Sequence, residues 1–156
     1  MMMRRKIYDI LLEWKRRDAG RNALLIDGVR RVGKSYIAEE FAKREYKSYI
    51  LIDFSKAADD VKDVFRNYLE HLDTFFLKLS GAYGVTLHER KTVFIFDEVQ
   101  EFPHAREAIK ALVADGRYDY LETGSLVSID KNTKDIVIPS EEDRVKMYPM
   151  DFEEFL

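Results

Sequence analysis

Cysteine is missing from this chain of 156 residues. Disulfide bonds, thiolate catalysis and cysteine-ligated zinc are therefore excluded, which fits a protein of the reducing cytoplasm. Histidine is scarce, and the three copies do not stand at the spacing of a metal site. We expect structural or surface roles for them.

Long apolar runs are also missing. The longest, such as Val93–Phe96, are far too short to cross a hydrocarbon layer of about 30 Å. The basic start, Met1–Lys6, resembles the first part of a signal peptide, but Asp9 and Glu13 interrupt the apolar stretch that should follow. We expect neither membrane insertion nor export, and a cytoplasmic location.

An excess of positive charge is missing too. The net charge is −3 and the pI about 5.7, so the chain as a whole does not support nucleic-acid binding. Basic groups at residues 4–6 and 15–17 are typical of a solvated helix face. The length and the 46% hydrophobic content predict one globular domain over residues 1–156.

The most informative motif is G-x-x-x-x-G-K-S at residues 28–35. An apolar run, Ala23–Ile26, precedes it, and Ile37 and Phe41 follow at helical spacing. Strand, loop and helix are the context in which this pattern binds phosphate. Its glycines let backbone N–H groups turn toward the anion at a helix N-terminus.

Two side chains of this loop have predicted roles. Lys34 can reach the β- and γ-phosphates and assist catalysis, and the Ser35 hydroxyl can ligate Mg²⁺. Two arginines inside the loop either contact phosphate or a partner or, as we favour, point into solvent. The predicted nucleotide-binding residues are Gly28, Val29, Arg30, Arg31, Val32, Gly33, Lys34, Ser35 and Tyr36.

The third predicted strand, from Thr92, is followed by two carboxylates. Asp97 would lie beside Ser35 and hold Mg²⁺. Glu98 would separate hydrolysis from mere binding, because a carboxylate there can accept a proton from the attacking water. Gln100 either orients the same water or belongs to the loop surface.

The fourth predicted strand also ends in polar residues, at 123–125. Thr123 and Ser125 either contact the γ-phosphate or the attacking water, or they only form a turn. We include both among the candidate nucleotide contacts.

Alternating strands and helices predict an α/β fold with a mainly parallel sheet covered on both faces. An amphipathic helix over residues 4–17 should pack on it. The predicted strands are 23–27, 49–54, 92–96, 118–123 and 144–150. One or two helices are predicted within 56–80, with Gly81 and Gly84 marking the end of this region, and another helix is predicted from Phe102 to Gly116. Residues 124–143 are predicted to form a loop with a short extended piece at 136–138.

The last residues carry a separate pattern. Asp151 is a predicted helix N-cap, and Phe152, Phe155 and Leu156 begin an apolar stripe. One helical turn is not stable alone. We expect the intact protein to continue into a further segment or domain.

Four motifs together resemble those of the prokaryotic AAA-type ATPases of the archaeal-ATPase group. They are residues 28–35, 96–100, 123–125 and 149–155. The resemblance is to members that continue into a C-terminal domain of unknown function with a restriction-endonuclease-like fold, and it covers nearly the whole of residues 1–156.

The resemblance implies a three-layer P-loop NTPase domain with strand order 5-1-4-3-2. It implies that Asp97 holds metal, that Glu98 is catalytic, and that Thr123 or Ser125 occupies the first sensor position. Relatives carry Gly-Arg before the fifth strand where this chain has Asp143 and Arg144, so Arg144 is the candidate for that arginine's role.

The predicted function is hydrolysis of ATP to ADP and phosphate with Mg²⁺, coupled to a partner segment or domain. Two alternatives stay open: a regulatory nucleotide-binding module with negligible turnover, and a small-molecule kinase. Glu98 directly after Asp97 favours water as the acceptor over a second substrate. Assembly into a homo-oligomer is left open.

Overall fold

The computed structural model describes residues 2–28, 33–125 and 142–146, the side chains of residues 2–5 excepted. In these ranges strands alternate with helices, as expected. The helices are α1 (Met2–Arg17), α2 (Lys34–Glu45), α3 (Asp59–Asn67), α4 (Leu72–Tyr83), α5 (Pro103–Glu107) and α6 (Ile109–Asp115). The strands are β1 (Ala23–Asp27), β2 (Ser48–Asp53), β3 (Thr92–Asp97), β4 (Asp119–Gly124) and β5 (Glu142–Lys146), and a 3₁₀ turn covers Val99–Glu101.

The five strands form one parallel sheet in the order β2-β3-β4-β1-β5. The expected order 5-1-4-3-2 is therefore confirmed. Parallel pairing aligns the carboxyl ends: Asp53 is opposite Asp97, and Asp27 is opposite Gly124. The polar residues that end these strands consequently share one edge of the sheet, where ligands bind in open α/β sheets.

Apolar side chains cover both faces of the sheet, which makes three layers. On the first face, α1 contributes Ile7, Leu11 and Trp14, and α2 contributes Phe41 among others. The predicted packing of the N-terminal helix is thus confirmed. On the second face, α3 to α6 cover an aromatic core that includes Phe94 of β3. Within the described ranges, no helix is long and apolar enough to span a bilayer.

Two helix predictions were inaccurate. The single helix expected between Phe102 and Gly116 is divided at Ala108 into α5 and α6, because the ψ of −18° at Ala108 departs from the ordinary α-helical value. The Ala108 N–H still donates to the His104 carbonyl oxygen at 3.0 Å. Gly81 lies inside α4 and does not end it. Gly84 ends that helix, because its φ of 63° is a left-handed conformation that glycine adopts without steric cost.

The fifth strand begins at Glu142, two residues before its predicted start. The predicted residues 147–150, the extended piece at 136–138 and the N-cap at Asp151 with its apolar stripe (Phe152, Phe155, Leu156) lie outside the described residues.

Candidate functional site

The two ends of the predicted phosphate loop, Gly28 and Gly33, are held by β1, β4 and α2. Gly28 follows β1, and its N–H donates to the Gly124 carbonyl oxygen at 3.1 Å. Gly33 precedes α2 with a φ of 90°, which favours glycine and allows the helix to begin at Lys34. The predicted contacts Val29, Arg30, Arg31 and Val32 lie outside the described residues.

Lys34 folds back over the beginning of the loop. Its side chain is buried, and Nζ donates to the Gly28 carbonyl oxygen at 2.7 Å. The ammonium group is therefore positioned at the start of α2, where the helix dipole already favours an anion. By contrast, the next predicted contact, Tyr36, is 56% exposed.

Three elements meet at the carboxylate of Asp97. The Ser35 hydroxyl of α2 donates to Asp97 Oδ1 at 2.6 Å, and the Thr123 hydroxyl of β4 donates to the same oxygen. Burial raises the pKa of Asp97, against the lowering effect of these two hydrogen bonds. Nearby Asp53 and Glu98 raise it further by their negative charge.

This oxygen set fits a hard divalent cation. Carboxylate and hydroxyl oxygens are ligand types that Mg²⁺ accepts, together with water and phosphate oxygens. Burial and neighbouring negative charges destabilise the ionised form of such a carboxylate, so a bound cation would stabilise that form. The structure thus brings together Ser35 and Asp97, the two predicted metal ligands, and both offer oxygen atoms that suit Mg²⁺.

Glu98 leaves the sheet by an unusual backbone conformation. Its φ of 57° and ψ of 53° are left-handed, uncommon for a residue with a side chain. Its N–H donates to the Thr123 hydroxyl oxygen at 3.0 Å. Such conformations persist where surrounding contacts impose them, and they concentrate at functional sites.

Gln100 joins Glu98 to the end of β4. Its side chain is only 3% exposed, so the loop-surface interpretation is wrong. Its Nε2 donates to Glu98 Oε2, and its Oε1 accepts from the Ser125 N–H at 3.4 Å. Ser125 therefore takes part through its backbone.

Sequence reasoning missed Asp53. It ends β2 opposite Asp97, and its Oδ1 accepts hydrogen bonds from the Ser55 N–H and hydroxyl at 2.9 and 2.6 Å. The available signal was that β2, like β3, ends in aspartate. Arg144 lies on β5 opposite Leu25, with Nη2 4.0 Å from Glu142 Oε1.

A family model described as an AAA domain matches residues 20–156. The sequence matches none of the curated proteins with which it was compared. Among solved structures it is similar to "Structure of C. elegans PCH-2", with 14% identity and a TM-score of 0.49. The similarity covers 99% of this chain and 44% of that one, so this chain spans less than half of its length.

Proposed function

The chain belongs to the AAA domain family, and from that premise we propose that it binds ATP and hydrolyses it to ADP and phosphate with Mg²⁺. The observation that carries the proposal is that the Ser35 and Thr123 hydroxyls meet at one carboxylate oxygen of Asp97, while the Lys34 ammonium contacts the Gly28 carbonyl oxygen. A turn that only resembled a phosphate loop would not require these groups to converge.

Ser35 and Asp97 would hold the Mg²⁺ ion, which supplies positive charge to the phosphate oxygens. Backbone N–H groups at the start of α2, next to Gly33, would bind the phosphates. The Lys34 ammonium would exchange its contact with the Gly28 carbonyl for phosphate oxygens. Its fixed charge would then stabilise the negative charge that develops in the transition state.

Glu98 would accept the proton of the attacking water. Gln100 holds one oxygen of that carboxylate, and the Thr123 hydroxyl holds the Glu98 backbone. These contacts reduce the freedom of the base before substrate arrives, and positioning of this kind is a large part of catalysis in phosphoryl transfer. A change at the γ-phosphate would reach Glu98 through Thr123, which contacts the Glu98 N–H, and through the Ser125 N–H, which contacts Gln100.

Phosphate release, measured with and without candidate small-molecule acceptors, tests the proposal. ATP-dependent phosphate release without acceptor, abolished by chelating Mg²⁺, is the expected result. Turnover only with an acceptor would instead support a kinase. Tight binding without release would support the regulatory module.

We also propose that the nucleotide state is passed to a further domain or to other copies of the chain. The support is that β4, which carries Thr123, lies next to β1, which leads into the loop at Gly28. Sedimentation velocity with ATP and with ADP tests the oligomeric part: we expect different sedimentation coefficients. Identical values would contradict nucleotide-driven assembly.

A further inference from the structure

The second face of the sheet contains an ionic pair out of contact with solvent. Arg106 of α5 is 1% exposed, and the Glu142 side chain of β5 is 2% exposed. Arg106 Nε donates to both carboxylate oxygens of Glu142, at 3.1 and 2.9 Å, and Nη2 donates to Oε1 at 2.7 Å. This fork of hydrogen bonds joins α5 to a strand at the edge of the described sheet.

A third member, Glu122 of β4, is completely buried. No donor among the described residues reaches either of its carboxyl oxygens. An ionised carboxylate in such a place would be very costly. Burial raises the pKa of Glu122 well above its ordinary value, and the negative charge of Glu142 raises it further.

The two carboxyl groups therefore differ in charge. Burial alone would raise the pKa of Glu142, but hydrogen bonds from Arg106 and with Glu122 lower it. Glu122 is then a neutral acid whose hydroxyl proton is available to ionised Glu142. The groups that face Glu122 are Arg106 from α5, Glu142 and Arg144 from β5, and Asp27 at the end of β1, on the same side of the sheet as Leu25.

The ion pair and Glu122 lie on the opposite face of the sheet from Thr123 and are connected to the candidate site through β4 and segment 98–102. Glu122 directly precedes Thr123, and neighbouring residues of a strand point to opposite faces. Thr123 contacts Asp97 and the Glu98 N–H above the sheet. Arg106 stands one turn after the segment 98–102, which carries Glu98 and Gln100.

We propose that Arg106, Glu122 and Glu142 form a buried clamp that positions Glu98 and Gln100 for hydrolysis. The three are positioning residues, since none of them faces the nucleotide side of the sheet. Arg106 fixes the far end of segment 98–102 against β5, and Glu122 fixes the β4 end that carries Thr123. A displacement of β5 would be transmitted to the base. The inference rests on the proposed hydrolysis.

Removal of the ion pair is the first test. Arg106→Met should lower kcat by about 10- to 100-fold, because small misplacements of catalytic groups have effects of this size. KM for ATP should stay within about twofold, since the phosphate loop is held by α2 and β1. Arg16→Met is the matched control, because Arg16 forms an exposed pair with Glu13 on α1. Unchanged kcat in folded Arg106→Met would overturn the clamp.

A double variant separates positioning from stability. Arg106→Met alone removes the hydrogen-bonded cation of buried Glu142 and leaves it only Arg144, whose Nη2 is 4.0 Å away, so this variant can fail to fold. Replacing a buried ion pair by apolar groups is often neutral or stabilising. Arg106→Met with Glu142→Met should therefore regain thermal stability but not kcat. Recovery of both would show that the pair has only a structural role and would overturn the proposal.

The shared proton has its own readouts. The infrared spectrum of the parent should contain a band from a protonated carboxyl group, and Glu122→Gln should lack this band. At alkaline pH the parent should lose ATPase activity as Glu122 ionises, whereas Glu122→Gln should keep its activity. If the parent shows no such band, Glu122 is not a neutral acid and that assignment is overturned.

Hydrogen exchange provides a test that does not depend on catalysis. Exchange of the backbone amides of residues 99–102 should be faster in Arg106→Met than in the parent, whether or not ATP is hydrolysed. If the parent releases no phosphate, the proposed function fails, whereas unchanged exchange would refute the clamp.

Discussion

Single residues at this site owe their chemistry to where strands end. Asp97 is held by hydroxyls from two other elements, and its carboxylate remains electrostatically under-compensated because burial and Asp53 act against its charge. Glu98, the next residue, turns into a left-handed conformation and leaves the strand. Consecutive carboxylates therefore occupy different environments, which suits one for metal and the other for proton transfer.

We expect Lys34→Ala to lose most of its affinity for Mg·ATP. Lys34 is a buried cation whose ammonium contacts the Gly28 carbonyl oxygen, and alanine removes its charge. Isothermal titration measures the change, with Lys43→Ala, an exposed lysine in the last turn of the same helix, as control. Parent-like affinity in Lys34→Ala would rule out the phosphate-loop assignment.

Glu98→Gln should bind ATP as the parent does and hydrolyse it about 10²- to 10⁴-fold more slowly, the usual loss for a general base. The amide keeps the shape but cannot take up a proton. Single-turnover phosphate release measures this, and the exposed Glu101→Gln serves as control. Full turnover by Glu98→Gln would leave Glu98 without a catalytic role.

At the scale of elements, helix α1 shows how a periodic pattern becomes a docked helix. Ile7, Leu11 and Trp14 recur at helical spacing, and all three are buried against the first face. Trp14 Nε1 also donates to the Asn22 carbonyl oxygen at 3.0 Å, which fixes the turn leading into β1. The strand that supports the phosphate loop is consequently anchored from its amino end.

Trp14→Ala should lower the free energy of unfolding by about 3–5 kcal/mol, the usual cost of truncating a buried large aromatic residue. Urea denaturation measures it. Leu12→Ala on the same helix, where the leucine is 37% exposed, should cost clearly less. Equal losses in the two variants would mean that α1 does not dock as described.

At the scale of the whole molecule, the site should make stability depend on ligand and on pH together. The pKa of Asp97 is raised in the folded state, so the unliganded fold loses stability as pH rises from the ordinary aspartate pKa through the raised one. In the proposed function, Mg·ATP should bind the ionised form of Asp97 and return that stability.

Thermal unfolding of the parent and of Asp97→Asn checks this expectation. Without ligand, the asparagine variant should escape the parent's loss of stability between acidic and neutral pH. With Mg·ATP at neutral pH, the parent should gain Tm and the variant should gain little. A similar ligand-induced rise in both proteins would show that Asp97 does not hold the metal.

Much of the fold could be predicted because the signals are local. The predicted bounds of β1 agree with the observed strand, and those of β3 differ by one residue, because each strand is a continuous apolar run. The strand order could not be predicted from local signals, because hydrophobic periodicity does not say which strands are neighbours. Only the resemblance to a family implied the order that the structure has. The break at Ala108 was not predictable, because the pattern continues through it.

The sequence by itself determined the chemistry that neighbouring residues share, namely the loop with Lys34 and Ser35 and the paired acids Asp97 and Glu98. The motifs also implied that Asp97 lies beside Ser35, but only the tertiary structure decided which further distant groups come into contact. The Gln100 contact with Ser125 spans 25 residues, and the Arg106 contact with Glu142 spans 36. The physical reason is that local sequence encodes the periodicity of each element, whereas such contacts exist only after β4 has been placed between β3 and β1.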